Sequence, residues 1–124
     1  MIKAVFDTNV FFQAAINSTG PAYQCWKAVL AGKVRVYMTP GIFGEIRDIA
    51  GRPKIRTRFP QLQGQTAFDL IHSFRNKSIF VYMVEELNFV PRDPNDKMFL
   101  DLAFTVDADY MVSRDNDLLD LRDD

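Results

Sequence analysis

The sequence has one cysteine, Cys25, and one histidine, His72. A lone cysteine excludes an internal disulfide and a cysteine-rich zinc site. Its ordinary fate is burial as a small apolar side chain, here beside Trp26. A lone histidine cannot supply a zinc triad. It also leaves no compelling Ser-His-Asp arrangement, because no partner for it is marked. His72 shares a helical stretch with Phe68, Ile71 and Phe74, where a histidine is ordinarily structural or solvated. No apolar run is long enough to span a membrane. The start, Met1-Ile2-Lys3-Ala4-Val5-Phe6-Asp7, does not read as a signal peptide, since Asp7 interrupts the apolar run almost at once. Repeats, low-complexity tracts and Ser/Gly-rich linkers are missing as well. Together these absences lead us to expect a soluble cytoplasmic protein of one domain. A chain of 124 residues can bury roughly two-thirds of its unfolded surface without a covalent staple.

What is present is unevenly distributed. The net charge of -1 hides ten acids against three bases in residues 93–124. The preceding part is therefore net positive, with a concentration at Arg47, Arg52, Lys54, Arg56 and Arg58. Phosphate backbones attract such clusters. An ordinary solvated face would look the same.

Short apolar runs alternate with helical patterns, which signals an α/β fold with a parallel sheet. The first strand is expected at Lys3 to Phe6, followed by a short helix and a gap at Asn17-Ser18-Thr19-Gly20. Pro21 opens a second helix that stops at Gly32. Arg35 to Met38 reads as the second strand. Thr39-Pro40 then reads as an N-cap and first helical position, with a helix to about Ala50. A basic turn, Lys54 to Arg58, leads to a helix over Gln65 to Phe74. The third strand is expected at Ile79 to Val84. Asp93-Pro94-Asn95-Asp96 opens a helix to about Val106. Tyr110 to Ser113 reads as the fourth strand and Asn116 to Leu121 as a last helical turn.

Four acids stand out against this frame. Asp7 ends the first strand, and ligands in open parallel sheets bind beyond the carboxyl ends of strands. A helix N-cap is the plainer role for it. Glu45 lies at the edge of the stripe Ile42, Ile46 and Ile49, where a carboxylate is costly without a metal or basic partner. Asp96 sits in the first turn of its helix, at the edge of a face made by Met98, Phe99, Leu102, Ala103 and Val106. Favourable interaction with the helix dipole would also explain it. Asp101 reads as pointing the other way, into water. Asp93 reads as the helix cap. Asp115 follows the fourth strand as Asp7 follows the first, and either it or Asp117 would serve as a cap for the last turn. Two like charges about 4 Å apart repel by about 1 kcal/mol in water and about 4 kcal/mol at an effective dielectric of 20. Four converging carboxylates would call for a cation, and oxygen-only ligands suit Mg²⁺ or Mn²⁺. That chemistry fits phosphodiester hydrolysis.

Val5-Phe6-Asp7-Thr8-Asn9-Val10 resembles the opening of the PIN-domain family, named for the PilT N-terminus. Thr39-Pro40 to Glu45-Ile46 is similar to that family's second-acid helix. Arg92 to Leu100 is similar to the helix start carrying its third acid, and Ala108 to Leu119 to its closing signature. The four segments, in this order, span essentially the whole chain. The resemblance implies a three-layer α/β/α fold with a parallel sheet of four or five strands, order 3-2-1-4 with a fifth after strand 4. It implies Asp7, Glu45, Asp96 and Asp115 as catalytic, metal-binding acids. Asn9, Ser113, Asp117 and Asp93 would be supporting polar residues. The bacterial PIN proteins similar to the VapC toxins look nearest. They imply a Mg²⁺- or Mn²⁺-dependent endoribonuclease, an RNA substrate, a cognate antitoxin and a homodimer. The family usually continues into a fifth edge strand, whereas this chain stops at Asp123-Asp124. An unprotected fourth strand would be an edge open to pairing. Arg52, Lys54, Arg56 and Arg58 are the expected RNA-tracking surface.

Rival readings from two classes accompany this one. A haloacid-dehalogenase-type phosphatase also starts with an acid after strand one, but needs a second Asp two residues on, where this chain has Asn9. A receiver domain would need paired acids near the first strand and a later Lys, and no clean match is present. A PIN-like module that binds RNA or a partner without cutting is the alternative from another class. Retention of all four acids weighs against it.

Overall fold

The computed structural model describes residues 1–88 and 96–113. The strands are β1 (Ile2–Phe6), β2 (Val34–Met38), β3 (Ile79–Phe80) and β4 (Tyr110–Val112). Between β1 and β2 come α1 (Thr8–Ile16) and α2 (Pro21–Leu30). Between β2 and β3 come α3 (Pro40–Gly51), α4 (Pro53–Arg58), a 3-10 turn (Pro60–Gln63) and α5 (Gln65–Lys77). The helix α6 (Lys97–Val106) precedes β4. The sheet order is β3-β2-β1-β4, with every pair parallel. Parallel crossovers are right-handed. The steps from β1 to β2 to β3 move one way and put α1 to α5 on one face. The return from β3 to β4 puts α6 on the other. This is the three-layer α/β/α arrangement that the sequence led us to expect, with the expected strand order.

The central strand shows why the sheet forms. Ala4, Val5 and Phe6 are all buried, as required of a parallel strand covered on both faces. Phe11, Trp26 and Phe74 make the aromatic centre of the core, with ring centroids 4.9 Å apart for Phe11–Phe74 and 4.8 Å for Trp26–Phe74. Cys25 is half-buried and packs against this core. Phe12 is buried in a second cluster with Ile49, Ile55 and Leu62.

That second cluster explains one difference from expectation. Lys54 to Arg58 is helix α4, not a basic turn. Pro53 occupies its first turn, and Ile55, 1% exposed, anchors it in the second cluster. A second difference concerns β3, which covers Ile79–Phe80 and does not extend to Val84. Its neighbour β2 ends at Met38, where Thr39 caps α3. After the Val81 N–H to Met38 carbonyl bond of 2.8 Å, the segment has no strand to pair with among the described residues. Tyr82 and Met83 accordingly lie exposed.

Two helix ends use left-handed backbone. Gly32 has φ of 78°. Its N–H reaches the Val29 carbonyl and that of Lys33 the Ala28 carbonyl, a Schellman closure that glycine accommodates without cost. Asp107, with φ of 56°, closes α6 in the same way through Phe104 and Ala103.

Candidate active site

Asp7 continues β1 by one residue. Its N–H donates to the Val112 carbonyl at 3.0 Å, extending the β1–β4 ladder. Its carboxylate is buried, and Oδ1 accepts the Val10 N–H at 3.0 Å as the N-cap of α1. The capping role is therefore real, and it fixes the side chain's orientation at the carboxyl end of the central strand. Thr8 and Asn9 follow, both buried. The Thr8 hydroxyl lies fully inside, with no hydrogen-bond partner among the described residues. Such an orphan is costly.

Glu45 is half-buried on α3, while Ile42, Ile46 and Ile49 are buried beside it. The Thr39 hydroxyl accepts the Ile42 N–H at 3.1 Å and starts this helix directly beyond β2. Because β2 adjoins β1 and α3 packs on α1, Glu45 stands above the carboxyl end of the sheet. Asp48 is exposed and pairs with Arg52 at 2.9 Å.

Asp96 is the N-terminal cap position of α6, half-buried, with no side-chain capping bond. The far end of α6 lies by the start of β1, where the Lys3 ammonium donates to the Val106 carbonyl at 3.3 Å. A helix of ten residues spans about 15 Å. A five-residue strand spans about 16 Å. Asp96 therefore returns to the level of Asp7. Ser113 directly follows β4, whose Val112 is in register with Phe6. It is exposed and adjacent to Asp7 across the ladder.

The topology thus brings Asp7, Glu45, Asp96, Asn9 and Ser113 to one end of the sheet. Asp93, Asp115 and Asp117 lie outside the described residues. Among the described residues no three acidic, histidine or cysteine side chains form a group able to hold a metal ion. Of the expected RNA-tracking residues, Arg52 is bound to Asp48 and Lys54 is exposed. Arg58 stacks over the Phe59 ring at 5.4 Å, and Arg56 lines a cleft with Arg47 and Arg75.

Asp101 departs from expectation. It is not solvated but 5% exposed. Its Oδ2 accepts the Lys97 ammonium at 2.9 Å and Oδ1 accepts the Leu87 N–H at 3.0 Å. Lys97 also donates to the Leu87 carbonyl at 3.1 Å. Burial pushes the Asp101 carboxyl up, but the Lys97 hydrogen bond, the Leu87 amide and the Lys97 charge together hold it below its ordinary 3.8. The Lys97–Asp101 spacing was readable as an i,i+4 pair. The folding of the Leu87 segment over it was not.

A family described as PIN domain matches residues 3–117. The chain belongs to the PIN domain family. An uncharacterized protein of Methanocaldococcus jannaschii is 30% identical over 123 residues, covering 99% of this chain and 77% of that protein. No solved structure gives a significant match. PIN domains are generally nucleases that bind nucleic acid and typically use divalent metals, so membership supports a nuclease-type function. No helix among the described residues is long and apolar enough to cross a membrane.

Proposed function

We propose that residues 1–124 form one PIN domain that acts as a divalent-metal-dependent endoribonuclease. The observation that carries this reading is the buried Asp7 carboxylate at the carboxyl end of the central strand, with Glu45 and Asp96 at the same end of the sheet. The donor set is carboxylate oxygen throughout, which fits a hard cation such as Mg²⁺ or Mn²⁺. The buried Thr8 hydroxyl beside Asp7 adds an oxygen without a protein partner among the described residues. Asp7, Glu45, Asp96 and Asp115 are the residues that would hold the ion. A bound ion of this kind supplies Lewis acidity at a phosphate oxygen and an activated water.

The protein's own contributions follow from its geometry. The Val10 N–H holds Asp7 in one orientation, so little reorganisation accompanies binding. Asp96 opens α6 at the same end of the sheet as Asp7. Asn9, Ser113, Asp117 and Asp93 are read as polar support around these acids.

The finer reading is a toxin of a toxin–antitoxin pair, similar to the VapC toxins. It is cytoplasmic, silenced by an antitoxin and paired as a homodimer. It rests on the four motif segments, and on β4 standing at the sheet edge among the described residues, where strand pairing is available.

The test is cleavage of a pool of structured and single-stranded RNA with Mn²⁺, with Mg²⁺ and with EDTA, comparing wild type and Asp96→Asn. Metal-dependent cutting that disappears in the variant is expected. Absence of cutting by a wild type that still binds metal would replace the nuclease with a PIN-like binding module.

A further inference from the structure

The flank of α3 turned away from Glu45 carries a second feature. Phe43, Arg47 and Ala50 recur at helical spacing on that flank, two residues or more out of phase with Glu45. A cleft of about 430 Å³ opens there, lined by Arg47 and Arg56 from α3 and α4 and by Phe68, His72 and Arg75 from α5. A second cavity of about 550 Å³ shares Phe43, Arg47 and Arg75 and runs on to Phe80 and Tyr82. The two form one groove.

Among the described residues, the groove's walls hold three arginines and a histidine, and no acid lines either cavity. The ion pairs among the described residues are Arg52–Asp48 and Lys97–Asp101, so none involves Arg47, Arg56 or Arg75. Three guanidinium groups brought together with no carboxylate among the described lining residues repel one another and suit a ligand carrying spaced anions. Planar guanidinium forks match phosphate oxygens.

Aromatic faces accompany the charges. Phe68 and Tyr82 are 56% and 76% exposed. Phe68 packs on His72 with centroids 4.3 Å apart, and Tyr82 on Phe80 at 6.1 Å. Alternating positive charge and open rings is the chemistry that holds single-stranded nucleic acid, phosphates on the arginines and bases on the rings. An acidic peptide would use the arginines and leave the rings unengaged.

We propose that this groove is a binding surface for single-stranded RNA, with Arg47, Arg56 and Arg75 on its phosphates and Phe68 and Tyr82 stacking on its bases. It rests on the nuclease reading for the identity of the strand. It keeps Arg56 from the expected basic surface and replaces the rest of that surface with residues from α3 and α5.

The experiment is fluorescence anisotropy of a short labelled single-stranded RNA with EDTA present, so that binding is read without cleavage. All five residues are exposed, and substitution leaves the fold intact, checked by circular dichroism. The pair Arg47→Gln with Arg75→Gln is expected to flatten the slope of log affinity against log salt by about 1.4. Tyr82→Ala is expected to weaken single-stranded RNA about tenfold and leave duplex RNA unchanged. Unchanged affinity and salt slope in these variants would overturn the proposal. So would a polyglutamate peptide binding as tightly as the RNA. Failure here and failure of the nuclease are separable. Cutting by wild type with unaltered binding in the groove variants removes the groove alone. Groove-dependent binding with no cutting removes the nuclease alone.

Discussion

Asp7 and Asp101 are both buried carboxylates, 3% and 5% exposed, yet they sit in different surroundings. Asp101 is closed in by an ammonium and a backbone N–H from a segment fourteen residues away. It ties the approach to α6 onto the helix. Asp7 ends the central strand and caps the next helix, beside a hydroxyl that finds no partner among the described residues and at the end of the sheet that Glu45 and Asp96 share. Burial of an acid therefore does not mark function by itself. The groups gathered around it do.

The largest contrast should appear in activity. Asp7→Asn retains a good N-cap, since Asn caps as well as Asp. It is expected to lose about a hundredfold or more of any metal-dependent cleavage, with little change in unfolding midpoint. Asp101→Asn is expected to do the reverse and keep cleavage. Initial rates on one RNA substrate decide this, and equal losses in the two variants would erase the distinction.

Stability should show the other side. Asp101→Asn removes the charge partner of Lys97, whose side chain is 34% exposed. Water still reaches the ammonium, so the loss is expected near about 1–3 kcal/mol, below that of a fully buried pair. Urea unfolding measures it. The same group sets a pH dependence. Its folded-state value lies below the ordinary 3.8. Its stabilisation is therefore fully present above 3.8 and is lost as pH falls through the lower folded value. Between those values wild type should lose stability more steeply than Asp101→Asn.

The smallest effect concerns the other end of α6. Asp107 holds φ of 56°, where glycine is more comfortable. Asp107→Gly is expected to gain about 0.5 kcal/mol, the relief of backbone strain being partly offset by a looser unfolded chain. Thermal unfolding would show it, with cleavage unchanged.

How much of this was legible in the sequence depends on the range of the interaction. Pro21 and Gly32, and the Thr39-Pro40 cap, announced α2 and α3 because capping is local. Asp7 was legible as a strand-ending acid for the same reason. β3 was overread because its length is decided by where β2 stops. Asp101 was misread because its burial depends on a segment folding over it. The arginine groove needed α3, α4 and α5 packed together. Arg47 was noticed within the basic stretch, but Arg75, twenty-eight residues further along the chain, was not.

The most direct test of the central claim is Mn²⁺ binding, read by electron paramagnetic resonance of the free ion, for wild type, Asp7→Asn and Asp101→Asn. The account predicts that wild type and Asp101→Asn take up the ion and that Asp7→Asn does so far more weakly. Equal uptake by all three, with Asp7→Asn folded, would contradict it.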